Sequence, residues 1–300
     1  MSMPHSIVSG GTGLVGRFIV EALLTAGHRV TIMGRNAPPD GFFSESVAFA
    51  PLRLEPASIS TALFEGADFF VHAAFDHAPG KYRGGEGDDA DGFRRRNLDA
   101  SLALFRAARA AGVSRTVFLS TRAVYGPRAP GVMLDEMETC LPDTLYGEVK
   151  RAAEEALSAL CNDRFHGVSL RVTGVYGPAG IGRRHKWAGL FEDYLAGREI
   201  TPRAATEVHG EDVGSAVRLM LEAPVAALAQ GLFNVSDLVL DRRDLLALVA
   251  RETGCGNALP EAADRSAVNA MHTERLRALG WNPGGEALLE RTVSKLLNGY

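Results

Sequence analysis

The segment Ser9-Gly-Gly-Thr-Gly-Leu-Val-Gly16 lies between two apolar runs of different period, and no other feature restricts the possible fold as strongly. Before it, His5-Ser-Ile-Val-Ser9 is short and β-branched; after it, Arg17-Phe-Ile-Val-Glu-Ala-Leu-Leu-Thr-Ala-Gly27 repeats with helical spacing and ends at a glycine stop. His28-Arg-Val-Thr-Ile-Met33 then reads as a second strand. Strand, glycine turn, helix and strand in this order form the setting of a dinucleotide fingerprint. The spacing of Gly10, Gly13 and Gly16 is Gly-x-x-Gly-x-x-Gly rather than Gly-x-Gly-x-x-Gly, but the physics is shared. Missing Cβ atoms permit a tight turn, close approach of backbone to a pyrophosphate and close helix–strand packing, while the helix N-terminus offers N–H groups to phosphates. The turn residues Gly10, Thr12, Gly13, Leu14, Val15 and Gly16 are therefore candidates for holding the cofactor.

An acidic residue about 20 positions beyond the glycines normally accepts the ribose hydroxyls of NAD. Here Met33-Gly-Arg-Asn36 occupies that strand end. Arg35 attracts a 2′-phosphate and has no acceptor to offer, so NADP is expected over NAD, with Asn36 beside it; stacking on adenine or capping the loop is the alternative role for Arg35.

Strand-like and helix-like runs keep alternating through Asp68-Phe-Phe-Val-His-Ala-Ala74, Asn97-Leu-Asp-Ala-Ser-Leu-Ala-Leu-Phe-Arg-Ala-Ala-Arg-Ala-Ala-Gly112 and Thr116-Val-Phe-Leu-Ser-Thr121. In the second of these, Leu98, Leu102, Phe105 and Ala108 are expected to form the buried stripe. Such alternation predicts an α/β fold, a Rossmann-type doubly wound parallel sheet. Its ligands sit beyond the carboxyl ends of the strands, at Ala73, Ala74 and Thr121. A glycine-rich polar segment, 76–92, is long enough to be a mobile substrate flap. The expected division is a dinucleotide-binding domain over 1–171 plus about 208–238, and a small, discontinuous C-terminal substrate-binding domain over about 172–207 and 239–300.

Tyr146 and Lys150 stand four residues apart in Leu145-Tyr-Gly-Glu-Val-Lys150, and on a helix they share a face. A phenol with an ordinary pKa of about 10 is a poor base near neutrality, and a neighbouring ammonium favours its ionised form. By itself the pair also fits any amphipathic helix.

Composition narrows the surroundings. The 300-residue chain is 46% hydrophobic and 23% charged, with a formal net charge of −4, which gives no general attraction to nucleic acid or to an anionic membrane. The Arg94-Arg95-Arg96 run is expected to be a solvated helix start. No signal-peptide core follows Met1 and no stretch approaches the roughly 20 apolar residues of a membrane span. Cys140, Cys161 and Cys255 lack Cys-x-x-Cys spacing and an odd number cannot all pair, so a reducing cytoplasm is expected. His185 and His209 have no partner at metal-ligand spacing, and no metal site is expected.

Taken together, Gly10-Gly-Thr-Gly-Leu-Val-Gly16, His72-Ala-Ala74, Ser120-Thr-Arg-Ala-Val-Tyr-Gly126, Tyr146-Gly-Glu-Val-Lys150 and Leu170-Arg-Val-Thr-Gly-Val-Tyr-Gly-Pro178 resemble the extended short-chain dehydrogenase/reductases, also called the NAD-dependent epimerase/dehydratase family. The resemblance continues through Val208-His-Gly-Glu-Asp-Val213 and Arg275-Leu-Arg-Ala-Leu-Gly-Trp-Asn-Pro283, so it covers nearly the whole chain. It implies that Tyr146 transfers the proton, that Lys150 lowers its pKa and holds the nicotinamide ribose, and that Thr121 hydrogen-bonds the substrate oxygen. Asn97 falls where a proton-relay Asn often occurs, or is an ordinary helix N-terminal Asn. Val172, Thr173 and Val175 fall where the family's backbone meets the nicotinamide carboxamide, and Leu119 and Phe75 join the cofactor edge. A homodimer built on the helices of Asn97 and Tyr146 is also implied, with Ala153, Ala156 and Ala159 permitting close approach.

Departures from the family pattern bear on substrate. Arg122-Ala123 follow Thr121 where dehydratases carry an acidic pair, so water elimination is not expected. Gly174 stands where nucleotide-sugar enzymes commonly place Asn, and the nearest Arg before Val208 is Arg203, in a compressed segment. Arg183 and Arg184 either replace those pyrophosphate contacts or belong to a solvated loop. The Asp that reads adenine is replaced by Leu52-Arg53-Leu54, leaving Leu52 and Arg53 as the adenine surface. Phe75, His77, Thr121, Arg122, Ala123, Gly174, Arg183, Arg184 and His185 are the candidate substrate contacts. Trp187, Phe191 and Tyr194 either wall the pocket or pack in the core. The leading expectation is an oxidoreductase acting on a small polar carbonyl or alcohol, a sugar or sugar acid without a nucleotide. A nucleotide-sugar epimerase with tightly bound cofactor and a non-catalytic NADP-sensing regulator are the rivals.

Overall fold

The alternating runs become, in a computed structural model that describes residues 3–77, 85–180 and 182–298, two sheets flanked by helices. Its strands are β1 His5–Ser9, β2 Arg29–Gly34, β3 Ala48–Pro51, β4 Phe69–His72, β5 Arg115–Thr121, β6 His166–Val172, β7 Gly174–Tyr176, β8 Ala204–His209, β9 Leu232–Val235 and β10 Leu238–Asp241. The helices are α1 Leu14–Thr25, α2 Ala90–Arg94, α3 Ala100–Ala110, α4 Leu145–Leu160, α5 Ala188–Leu195, α6 Gly210–Glu222, α7 Arg242–Thr253, α8 Glu274–Ala278 and α9 Gly285–Asn298.

Seven strands, in the order β3-β2-β1-β4-β5-β6-β9, pair in parallel throughout. Their central members read as apolar runs because both faces are covered. On one face α1 and α6 pack together, burying Ile19, Val20 and Leu23 against Val213, Val217 and Met220. On the other, α3 and α4 bury Leu104, Phe105 and Ala108 beside Ala153 and Leu157. Each such Leu or Phe contributes about 1.5–3 kcal/mol by leaving water. The order reverses between β1 and β4, and the chain ends of those strands, Ser9 and His72, open the crevice in which ligands of such sheets bind. Fully buried His72 fixes that edge: Nδ1 meets Ser9 Oγ at 2.7 Å and Nε2 meets Ser101 Oγ at 2.8 Å. Burial, assisted by the Lys150 charge, pushes its pKa down to about 3, so the ring is neutral.

The second sheet, β10-β8-β7, has β8 parallel to β7 and antiparallel to β10. Tyr176, Trp187, Phe191, Tyr194, Leu246 and Val293 form its core. Trp187, Phe191 and Tyr194 are therefore packing residues of the smaller layer and do not wall a pocket.

Two local expectations change. The buried stripe of α3 runs through Ser101, Leu104, Phe105 and Ala108, whereas Leu98 and Leu102 are only partly buried. Just upstream, residues Arg95–Asp99 form a π-helical turn, which interrupts the helical period at Leu98. The arginine run is not a plain solvated start: Arg94 pairs with Glu148 at 2.9 Å, and Arg96 reaches Asp76 at 2.6 Å and Asp89 at 3.0 Å. Residues 78–84 of the expected flap lie outside the described residues; of the remainder, Ala90–Arg94 is helical.

Candidate active site

The glycine turn is shaped by close contacts. Gly10 has φ of +75°, and a Cβ there would stand 2.7 Å from the Ala74 backbone, so β1 and the end of β4 approach through its bare Cα. A Cβ on Gly16 would meet Gly10 O at 2.1 Å. Gly13 differs: it is exposed, and its nearest neighbour would be Gly10 O at 3.2 Å. It caps α1, whose first turn carries no acidic residue and no side-chain cap, leaving the helix-terminal N–H groups to an anion. This cradle fits the phosphates of a dinucleotide.

A single cleft of about 1310 Å³ joins this turn to the ends of β4, β5, β6 and β8. Of the cofactor candidates, Gly10, Thr12, Gly13, Leu14, Val15, Gly16, Arg35, Leu52, Arg53, Ala73, Ala74, Phe75, Leu119, Tyr146, Lys150, Val172, Thr173 and Val175 line it. Asn36, exposed one residue beyond Arg35, does not.

Thr121 closes β5 and caps the 3₁₀ turn after it, its Oγ1 accepting from Ala123 N–H at 3.2 Å. Tyr146 and Lys150 both rise from the first turns of α4, started by Thr144, whose Oγ1 accepts from Gly147 N–H at 3.2 Å. The Tyr146 ring stands edge-on to Phe75, centroids 5.1 Å apart. Lys150 is 4% exposed; its ammonium donates to Leu119 O at 2.6 Å and lies 4.6 Å from the centroids of both Phe75 and Phe118. Thr121, Tyr146 and Lys150 thus share one cleft with the glycine cradle.

Behind Lys150, one turn along α4, a buried ion pair braces helix to sheet. Glu154 accepts from Arg171 Nη2 at 2.8 Å and from Nε at 3.1 Å, and the Ser120 hydroxyl donates to it as well. Arg171 also stacks over Tyr125, whose hydroxyl donates to Asn234 Oδ1 at 2.7 Å.

Burial drives the Lys150 pKa down to about 7, with Glu154 opposing. Below about pH 7 folded and unfolded chains both carry the charge, and the full cost of burying it is felt; between about 7 and 10.5 the unfolded chain binds the extra proton and stability rises with pH. Lys150→Met is therefore expected to raise the stability of the ligand-free protein by about 1–2 kcal/mol at pH 6, with the gain shrinking above neutrality, while abolishing activity. Thermal melts across pH check this; a variant less stable than the parent at pH 6 contradicts it.

Several expected residues are placed elsewhere. The Asn97 side chain is held by backbone groups: Oδ1 accepts from Asp76 N–H at 2.7 Å and Nδ2 donates to Asp76 O at 2.8 Å and Phe93 O at 3.1 Å. Among the substrate candidates, Phe75, His77, Thr121, Arg122, Gly174 and Arg183 line the cleft, whereas Ala123, Arg184 and His185 do not. Ala123 follows the strand end into the 3₁₀ turn, Arg184 is drawn to Glu192 at 2.6 Å, and His185 packs on Phe191 with centroids 5.3 Å apart. Arg183 lies at the glycine turn, donating to Thr12 O at 2.6 Å, and so belongs with the phosphate cradle. Arg122 donates to Asn269 O at 3.0 Å, tying the end of β5 to the C-terminal segment. Sequence reading missed Lys186, Glu207 and Asn269, all of which line the cleft.

Among the described residues no cluster of three or more His, Cys, Asp or Glu suits a metal ion, and no helix is long and apolar enough to cross a membrane.

Residues 6–236 match the model of the NAD dependent epimerase/dehydratase family. The dTDP-6-deoxy-L-talose 4-dehydrogenase (NAD(P)(+)) of Kitasatospora kifunensis is 31% identical over 215 residues, 69% of this chain and 63% of that protein. The ceramide reductase of Caulobacter vibrioides is 29% identical over 245 residues, 79% of this chain and 65% of that protein. The matched part thus spans less than two thirds of either relative's own length. The solved complex of Thermus thermophilus UDP-glucose 4-epimerase with NAD superposes with a TM-score of 0.76 at 26% identity, covering 99% of this chain and 100% of that one.

Proposed function

The chain belongs to the NAD dependent epimerase/dehydratase family, and from that premise we propose that it is an NAD(P)-dependent oxidoreductase acting on a small polar carbonyl or its alcohol, a sugar, sugar acid or related metabolite. The observation that carries this reading is the convergence of Thr121, Tyr146 and Lys150 on the cleft that also holds the glycine cradle. When bound, the nicotinamide cofactor supplies or accepts the hydride. The chain's own residues position the substrate and handle the proton. Tyr146 O–H gives its proton to the carbonyl oxygen in reduction and its phenolate takes it back in oxidation. Thr121 Oγ1 donates a hydrogen bond to that same oxygen, and Lys150, when charged, favours the phenolate and holds the cofactor ribose.

The cradle at Gly10, Gly13 and Gly16 binds the pyrophosphate, and NADP is preferred because exposed Arg35 lines the adjoining end of the cleft with no acidic neighbour in Met33-Gly-Arg-Asn36. A dinucleotide-binding domain over 1–171 plus about 208–238, a small substrate-binding domain over about 172–207 and 239–300, cytoplasmic location and homodimerisation complete the proposal. Replacing Arg35 by Ala is expected to weaken NADPH about 10- to 100-fold and NADH less than about threefold, read by fluorescence titration. Equal losses for both cofactors overturn the Arg35 assignment.

A second reading, nucleotide-sugar epimerisation, is favoured by the solved epimerase complex with NAD that superposes on nearly the whole chain. The two separate on one assay. Net NADPH oxidation with aldehydes, keto sugars or lactones supports the oxidoreductase; isomerised nucleotide sugar with no net oxidation supports the epimerase.

A further inference from the structure

The cleft that Tyr146 lines is walled in part by the smaller sheet, and a charged pair there lines it as well. Lys186, from the segment before α5, meets Glu207 Oε2 of β8 at 2.5 Å, and both side chains line the cleft. Their side chains are 30% and 10% exposed, so the carboxylate is largely withdrawn from water. Burial raises the Glu207 pKa, and the charges of Lys186 and Arg203 oppose that rise.

The pair occupies the space beside a missing side chain. A Cβ at Gly174 would stand 2.9 Å from Glu207 Oε2 and 3.0 Å from Lys186 Nζ. The backbone beneath is paired on both sides: Glu207 is in register with Gly174 on β7 and with Leu238 on β10, and its carbonyl accepts from Asp237 N–H at 3.1 Å. Such a pair is a poor device for stability, because desolvating two charges offsets most of their attraction. Lys186 is the one hydrogen-bond partner of this carboxylate among the described residues, and it engages a single oxygen. Glu207 Oε1 and the remaining ammonium N–H groups therefore have capacity to spare on the cleft side.

We propose that Lys186 and Glu207 form a hydroxyl-reading subsite that selects polyhydroxylated carbonyl substrates. A substrate hydroxyl donates to Glu207 Oε1, and Lys186 donates to a neighbouring substrate oxygen. An acceptor and a donor held side by side match the alternating hydrogen-bond demands of adjacent hydroxyls. A carbonyl compound lacking those hydroxyls leaves both charged groups unsatisfied once it has displaced their water, and selectivity follows from that penalty. Gly174 is the residue that leaves room for the arrangement.

The inference rests on the oxidoreductase reading and is tested with D-glyceraldehyde and propanal, which share a carbon skeleton and differ in hydroxyl groups. The parent protein is expected to favour glyceraldehyde in kcat/KM. Glu207→Gln keeps the side-chain shape, and Lys186→Met keeps its length; each is expected to lower the glyceraldehyde-to-propanal ratio of kcat/KM about 10- to 100-fold, mainly through the glyceraldehyde KM. Melting temperature and NADPH affinity, measured alongside, report any general damage. NADPH oxidation with a ratio unchanged in both variants overturns this subsite and leaves the oxidoreductase standing. Oxidation with neither aldehyde in the parent protein overturns the oxidoreductase reading and the subsite with it.

Discussion

Tyr146→Phe is expected to lower kcat by about 10²–10⁴-fold, the usual worth of a positioned proton donor, while NADPH affinity stays within about twofold. The separation follows from the geometry. Phe keeps the ring that meets Phe75 edge-on, and it keeps the first turn of α4, which Thr144 caps rather than Tyr146. Lys150 stays where it is, because its ammonium is held by Leu119 O and by the faces of Phe75 and Phe118. Only the hydroxyl is lost. Steady-state rates with a reducible aldehyde, paired with NADPH titration, check both halves, and undiminished turnover removes Tyr146 from the chemistry.

Gly16→Ala is expected to cost more than about 3 kcal/mol or to prevent folding, whereas Gly13→Ala costs about 1 kcal/mol or less. A Cβ at Gly16 falls 2.1 Å from Gly10 O and 2.9 Å from Gly11 Cα. Both are backbone atoms of the turn, so relief requires moving α1 off β1. At Gly13 the single close atom is Gly10 O at 3.2 Å, a gap that a shift of a few tenths of an ångström resolves. Gly13 is nevertheless the exposed cap of the helix proposed to receive the pyrophosphate, and there Ala is expected to weaken NADPH about tenfold or more. Denaturant midpoints and cofactor titration on the two variants distinguish a folding glycine from a binding one. Equal stability losses contradict the assignment.

What was legible in the sequence was mostly local. The β1 strand, the glycine turn and the helix after it depend on spacings within a few residues, and the parallel sheet follows from repeating that unit. Tyr146 and Lys150 share a helix face by spacing alone. Errors arose where a local rule met something inserted or distant. The π-turn at Arg95–Asp99 interrupts the helical period at Leu98, and the Asn97 amide within it meets the backbone of Asp76. Of the two roles open to Arg184, the solvated one fits its exposed pairing with Glu192, and His185, a candidate by side-chain chemistry, packs on Phe191 of α5. Glu207 was invisible as a site residue because its neighbours come from three separated segments: Gly174 by strand pairing, Lys186 from the loop before α5, and Leu238 from β10. The Glu154–Arg171 brace links residues 17 apart through the packing of α4 on β6, and no motif spacing displays it.

The most direct test of the central claim is the fate of a deuterium label. NADPH carrying deuterium on the transferable position of nicotinamide C4 is incubated with the protein and D-glyceraldehyde, and the product alcohol is examined by mass spectrometry. One deuterium is expected on the former carbonyl carbon with the parent protein, and almost none is expected to be transferred by Tyr146→Phe in the same time. Unlabelled product, or a label that appears equally fast without the Tyr146 hydroxyl, contradicts hydride transfer assisted by this residue.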